Sequence, residues 1–180
     1  MSGPVRLRAA EPPDLPAVAD LHRRSRAAAY AHLLDPETLA GGSAAALAAW
    51  WVERWTWERD THRLTVAEGD GRVVGFTYVG PSETAGAAEL YAIHVDPGWV
   101  GAGVGRLLMA SALDQLAEVG GDRAVLWVLA GNGRARRFYE RGGWTPDGAT
   151  RVEAVNGEPV AQLRYSRPCA AGGSPLAPGR

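Results

Sequence analysis

The alternation in "VRLRAA" (residues 5–10) predicts a short opening strand with apolar and polar side chains on opposite faces. "EPPDLPAVADLHRRSRAAAY" begins with prolines, which open a helix but fit poorly inside one, and predicts a helix from about Asp14 to Ala29. Pro36, Gly41 and Gly42 then interrupt the pattern, and Ser43 is placed to cap a second helix over "AAALAAWWVERWTWERD". On that helix Trp51 and Trp55 share a face and Trp50 is turned about 100° away, an arrangement suited to core packing or to lining a pocket. Strand-like runs follow at residues 63–68, 72–80 and 88–95. Gly69-Asp70-Gly71 is a tight hairpin signal between the first two, so an antiparallel meander is expected. A glycine-rich junction leads into a helix ending near Val119, residues 122–130 predict a buried strand, "NGRARRFYERGGW" a helix stopped by Gly142-Gly143, and "PVAQLRYSR" a last strand. Strands in a meander and then separated by helices predict an α+β (mixed α/β) fold, with hairpin-linked strands antiparallel and helix-linked strands parallel. Residues 1–166 are expected to form a single domain, and the Pro/Gly/Ala-rich residues 167–180 a disordered tail.

Composition narrows this picture. With 46% hydrophobic and 22% charged residues in 180, the chain can bury one substantial core. A formal net charge of −1 provides no global field for nucleic acid or an anionic membrane, so any anion site must be local. The single cysteine, Cys169, excludes a disulfide framework and a thiolate metal site and fits a reducing cytoplasm. No apolar run approaches the roughly 18–20 residues of a membrane span, no signal peptide is recognisable, and a cytoplasmic location is expected. His22, His32 and His62 lack ligand spacing, so no metal site is expected.

The chemistry concentrates in "VDPGWVGAGVGRLLM". Gly101, Gly103 and Gly105 stand where a strand hands over to a helix, so backbone N–H groups can approach an anion at a helix N-terminus. The spacing is not G-x-G-x-x-G, and no Gly-Lys-Ser/Thr ends the loop, which argues against a dinucleotide fingerprint and a nucleotide-hydrolase phosphate loop.

This stretch resembles the pyrophosphate-binding signature of the GCN5-related N-acetyltransferases, Arg/Gln-x-x-Gly-x-Gly/Ala. Gly103 and Gly105 stand at its glycine positions and Val100 where a basic or amide residue is usual. "VLWVLAGNGRARRFYERGGW" is similar to the family's second cofactor segment, through Asn132, Ala135, Phe138-Tyr139 and Gly143-Trp144. The likeness runs from about Val5 to Ser166 and includes the two-helix insert after the first strand, which in this family helps form the acceptor site. It implies the acyl-CoA N-acyltransferase fold, a central mixed but mostly antiparallel sheet flanked by helices, with strands splayed around the cofactor. It further implies transfer of an acetyl group from acetyl-coenzyme A to a primary amine of a small molecule, antibiotic, amino acid or protein N-terminus. A catalytically degenerate member that binds acyl-CoA as a sensor is the alternative, and a homodimer is open.

By the same resemblance the cofactor contacts are the backbone of Ile93, His94 and Val95 along the pantetheine arm, and the loop Val100, Gly101, Ala102, Gly103, Val104, Gly105 and Arg106. Asn132, Ala135 and Arg136 complete the set. With Val100 in place, side-chain recognition is lost or shifted to Arg106, and the backbone amides carry the rest. Aminolysis of a thioester needs a neutral amine and a proton for a thiolate of pKa about 8.5. Tyr139 is the implied proton donor, with Arg136 and Arg137 as neighbours able to favour a phenolate. Phe138 and Tyr139 can also simply pack the last helix on the sheet, and Asn132 can simply cap it. Glu89 is the candidate base. On a period of two it shares a face with Tyr91, Ile93 and Val95, with His94 opposite in a structural role. Glu53 and Glu58 are candidates for recognising a cationic acceptor.

Overall fold

Asp70 and Gly71 take left-handed backbone angles, φ 50° and 72°, and close a two-residue turn that pairs β2 (Arg63–Gly69) with β3 (Arg72–Pro81) in antiparallel register. β3 pairs in turn with β4 (Ala87–Val95), so the expected meander forms. The computed structural model describes residues 3–40 and 43–169. The remaining strands are β1 (Arg6–Ala9), β5 (Arg123–Leu129), β6 (Thr145–Val155) and β7 (Glu158–Pro168), and the sheet order is β1-β2-β3-β4-β5-β7-β6. β4 and β5 are parallel and every other neighbouring pair is antiparallel.

Among the described residues, five helices flank this sheet: α1 (Leu15–Tyr30), α2 (Pro36–Ala40), α3 (Ala44–Glu58), α4 (Val104–Val119) and α5 (Gly133–Arg141). Ser43 caps α3 as predicted, its Oγ accepting from the Ala46 N–H at 2.9 Å. α1 and α3 cover one face, where Val18, Leu21 and the fully buried Trp51 pack on Val66, Phe76 and Tyr78. The Trp51 ring meets Phe76 and Tyr78 edge-on at 5.4 Å, while Trp55 packs at the margin of the same cluster. α4 and α5 cover the other face, with Leu108, Met109, Ala112 and Leu116 against the sheet. Gly75 on β3 sets the approach of α4, since a Cβ there would lie 2.8 Å from Leu108 and 3.1 Å from Val104.

Two elements depart from the sequence reading. The short helix α2 fills part of the break around Pro36, and β6 lies where no strand was predicted. β6 is almost wholly exposed, contains Pro146 and Gly148, and is irregular between Pro146 and Thr150, so it shows no amphipathic period. Its signal was the Asn156-Gly157 pair, which turns β6 into β7 with φ 50° and 90°. β7 runs through Pro168, two residues past the expected edge of the tail, and residues 170–180 of that tail lie outside the described residues.

β4 and β5 pair only from Ala87 to Glu89 against Arg123 to Val125, and then part. β4 carries an extra residue opposite β3 at the same place, because Tyr78 pairs with Ala92 and Val79 with Leu90, leaving Tyr91 unmatched. The sheet thus opens at its centre immediately after Glu89.

Candidate active site

On one side of this opening lies the glycine loop. Asp96 ends β4, its Oδ1 accepting from the Gly98 N–H at 2.8 Å to set a short 3₁₀ turn over Pro97–Trp99. Its Oδ2 holds Arg24 of α1 at 2.9 Å and Arg72 of β3 at 3.2 Å. Burial pushes the Asp96 carboxyl up, but the Gly98 N–H and the two guanidiniums outweigh it and hold the group below the usual carboxylate range. Asp96→Ala is expected to cost roughly 2–3 kcal/mol of stability in urea denaturation, because it orphans one backbone N–H and releases α1 from the loop.

Beyond Trp99 the chain turns through Gly101 and Gly103, with φ 89° and 88°, and enters α4 without a side-chain cap. Among the described residues, the N–H groups of Val100, Gly101, Gly103, Val104 and Gly105 have no protein acceptor, whereas Ala102 donates to Trp99. Five unpaired donors at the positive end of a 16-residue helix fit a diphosphate-sized anion. The Arg106 guanidinium leans over the start of this cradle, 3.9 Å from the place of a Gly103 Cβ, and Val100 is exposed. A Cβ on Gly105 would lie 3.6 Å from the Phe138 ring, so α5 stands beside the cradle.

On the other side of the opening, a cavity of about 350 Å³ is walled by α1, α3, the ends of β4 and β5, and β6. Glu89 lines it and is buried at 7% exposure, accepting from the Ser82 hydroxyl at 2.7 Å. Burial pushes its carboxyl above the ordinary value, against the opposing Ser82 hydrogen bond, which makes it a stronger base when ionised. Trp50, Tyr78, Tyr91 and Trp127 supply aromatic walls. Glu58 is not available for a cationic acceptor, because Arg54 at 3.0 Å and the Tyr78 hydroxyl both engage it. Glu53 is exposed on α3.

The extra residue at Tyr91 overturns the predicted alternation of β4. Glu89 and Tyr91 face α1 and α3, but Ala92 packs there too, so Ile93 and Val95 turn to the α4 face and His94 returns to the Glu89 side. His94 lies 4.6 Å from His22 between ring centroids, and its Nδ1 is 3.0 Å from the Ser25 hydroxyl. Burial pushes His94 down to about 3 and, with His94 and Arg26 adding charge repulsion, His22 down to about 2, so both rings are neutral. Neither this pair nor Arg26 stood out in the sequence, because α1 and β4 meet only in the fold.

α5 sits across the opening. Asn132 caps it, its side chain accepting from the Ala135 N–H at 3.2 Å. Tyr139 is half-buried among Phe138, Trp144 and Tyr165, and its hydroxyl has no protein partner among the described residues. Burial, with Tyr30 adding to it, pushes the phenol well above its ordinary value. Arg136 does not serve it as the sequence suggested: its Nε donates to the Tyr165 hydroxyl at 3.0 Å and its Nη1 to the Ala130 carbonyl at 3.1 Å. Tyr139 is thus held as a neutral phenol rather than a phenolate. Among the described residues no cluster of three metal-capable side chains occurs, and no helix is long and apolar enough to cross a membrane.

The sheet parts at its centre, with a cradle of unpaired backbone N–H groups on one side and a partly open pocket on the other. Residues 18–144 match the acetyltransferase (GNAT) family, and the chain belongs to it. It is 42% identical over 79 residues to the mycothiol acetyltransferase of Beutenbergia cavernae, covering 44% of this chain and 26% of that protein. The chain thus spans about a quarter of that relative's length. In fold it is similar to a GCN5-related N-acetyltransferase from Rhodopseudomonas palustris, with a TM-score of 0.75 and 20% identity over 93% of this chain and 98% of that one. The PaiA N-acetyltransferase of Thermoplasma acidophilum, solved in complex with coenzyme A, gives a TM-score of 0.71 and 16% identity over 92% and 99% of the two chains.

Proposed function

We propose that the chain is an acetyl-coenzyme A-dependent N-acetyltransferase that passes the acetyl group directly to a primary amine. The observation that carries this reading is the parting of β4 and β5 after Glu89, which opens both onto the cradle of unpaired N–H groups and onto the pocket holding a buried carboxylate. Bound acetyl-coenzyme A supplies an acetyl thioester whose C–S bond is exchanged for a C–N bond to the acceptor, releasing the thiol. The amides from Val100 to Gly105 and the Arg106 guanidinium would hold its pyrophosphate, with Val100 leaving the backbone as the chief ligand. The unpaired edge of β4 at Ile93, His94 and Val95 would take the pantetheine arm as an added strand, with Asn132 and Ala135 alongside. Glu89 accepts a proton from the acceptor ammonium, and Tyr139 holds on its Oη the proton that a departing thiolate requires.

Titration calorimetry with acetyl-coenzyme A, followed by a thiol-release assay over a panel of amines, tests the reading. Heat of binding and amine-dependent thiol release are expected. No heat would overturn the reading, and binding without release from any amine would place the chain with acyl-CoA sensors.

A further inference from the structure

The charges around the acceptor pocket are almost all internally paired. Arg54 is bound to Glu58, while Arg151 donates to Gln162 at 2.7 Å and lies 3.5 Å from Glu153. Two charges remain without a salt-bridge partner among the described residues: the buried carboxylate of Glu89 on β4, which accepts from a hydroxyl and has Arg151 and Arg164 only at longer range, and the guanidinium of Arg26 on α1. Among the described residues Arg26 has no carboxylate within salt-bridge distance, and its one polar contact is Nη2 to His22 Nε2 at 2.8 Å.

That contact does not satisfy it. The His22 Nδ1 accepts from the Trp51 indole N–H at 3.2 Å, and Trp51 is fixed in the core at 1% exposure with no other partner. A neutral imidazole accepts at one nitrogen only, so at most one of the five guanidinium N–H donors is met by His22, and the rest have no acceptor among the described residues. Arg26 therefore stands at the pocket wall, half-buried, with most of its N–H groups unpaired among the described residues.

One unpaired cation and one unpaired anion in a small cavity are the complement of a zwitterion. Resting on the N-acetyltransferase reading, we propose that the acceptor is a free amino acid, its carboxylate on Arg26 and its ammonium towards Glu89. A cavity of about 350 Å³ is at the small end for ligand sites and suits a molecule of that size. The aromatic walls fit an apolar or aromatic side chain.

The test assays thiol release from acetyl-coenzyme A with each of the twenty amino acids and, in parallel, with its carboxamide, which keeps the amine and side chain but removes the negative charge. At least one amino acid is expected to exceed its amide more than tenfold in kcat/KM. Arg26→Gln should bring that ratio below threefold through KM, with calorimetric affinity for acetyl-coenzyme A unchanged, and Arg26→Lys should restore part of it. Amides that serve as well as acids, a ratio untouched by Arg26→Gln, or turnover confined to amines without a carboxylate would each overturn the inference and leave the N-acetyltransferase reading standing. Thiol release from no amine of any kind would overturn that reading instead, and this inference with it.

Discussion

Tyr139→Phe is expected to bind acetyl-coenzyme A as tightly as the unaltered protein and to lose roughly 10²–10³-fold in kcat, within the range ascribed to general acids and bases. The ring is retained against Trp144 and Tyr165, so the packing of α5 on the sheet survives. The hydroxyl has no protein partner among the described residues, so its removal leaves no orphaned donor or acceptor. What disappears is the phenol proton, which an ordinary tyrosine already keeps at neutral pH and which burial holds more firmly. Calorimetry and saturating-amine kinetics on the same preparation separate the two effects, and an unchanged kcat would remove Tyr139 from the proton path.

The second large effect is on stability in mild acid. His22 and His94 are neutral in the fold, pushed down to about 2 and about 3, whereas a histidine in the unfolded chain titrates near 6.5. As pH falls below about 6.5, the unfolded chain takes up protons that the folded chain refuses, so stability present above that value is lost progressively towards pH 3. Each histidine contributes about 1.4 kcal/mol per pH unit across this window, so the pair costs about 4 kcal/mol between pH 7 and pH 5. For a chain of this size that is a fall in Tm of roughly 8–16 °C. The groups facing the pair include Ser25, Arg26, Trp50, Trp51 and Phe76, none of them an acid that could stabilise the charged rings. Thermal melts from pH 7 to pH 5 should show a clearly shallower slope in His94→Gln, with His22 and the partly buried His62 keeping their share. An equal slope in both proteins would mean that His94 titrates normally.

What the sequence made legible follows the range of the interaction involved. The glycine loop, the hairpin at Asp70-Gly71 and the Ser43 cap are set within a few residues, and all three form where the residue types require. Family resemblance added Glu89, which lines the pocket beside the opening, and Tyr139, which packs on the α5 side against Trp144 and Tyr165. Strict alternation failed at Tyr91, because an extra residue in β4 depends on how β3 pairs with it, and this placed His94 on the wrong face. Arg136 was misjudged for a similar reason: its neighbour Tyr139 is close in sequence, but Tyr165, on another strand, receives its hydrogen bond. β6 escaped notice because an exposed edge strand has no buried face to leave a period. That Arg26 and Glu89 line one cavity was beyond reach, since 63 residues separate them in sequence and only the packing of α1 on β4 brings them to it.

Arg24 and Arg26 stand two residues apart on α1, one tied to Asp96 beneath the glycine loop and the other turned into the acceptor pocket. One helix therefore braces the glycine loop and walls the pocket at once, so the two places share a single rigid element. Any coupling carried by it is mutual by thermodynamic linkage: whatever factor occupancy of one place imposes on the affinity of the other is returned in equal measure.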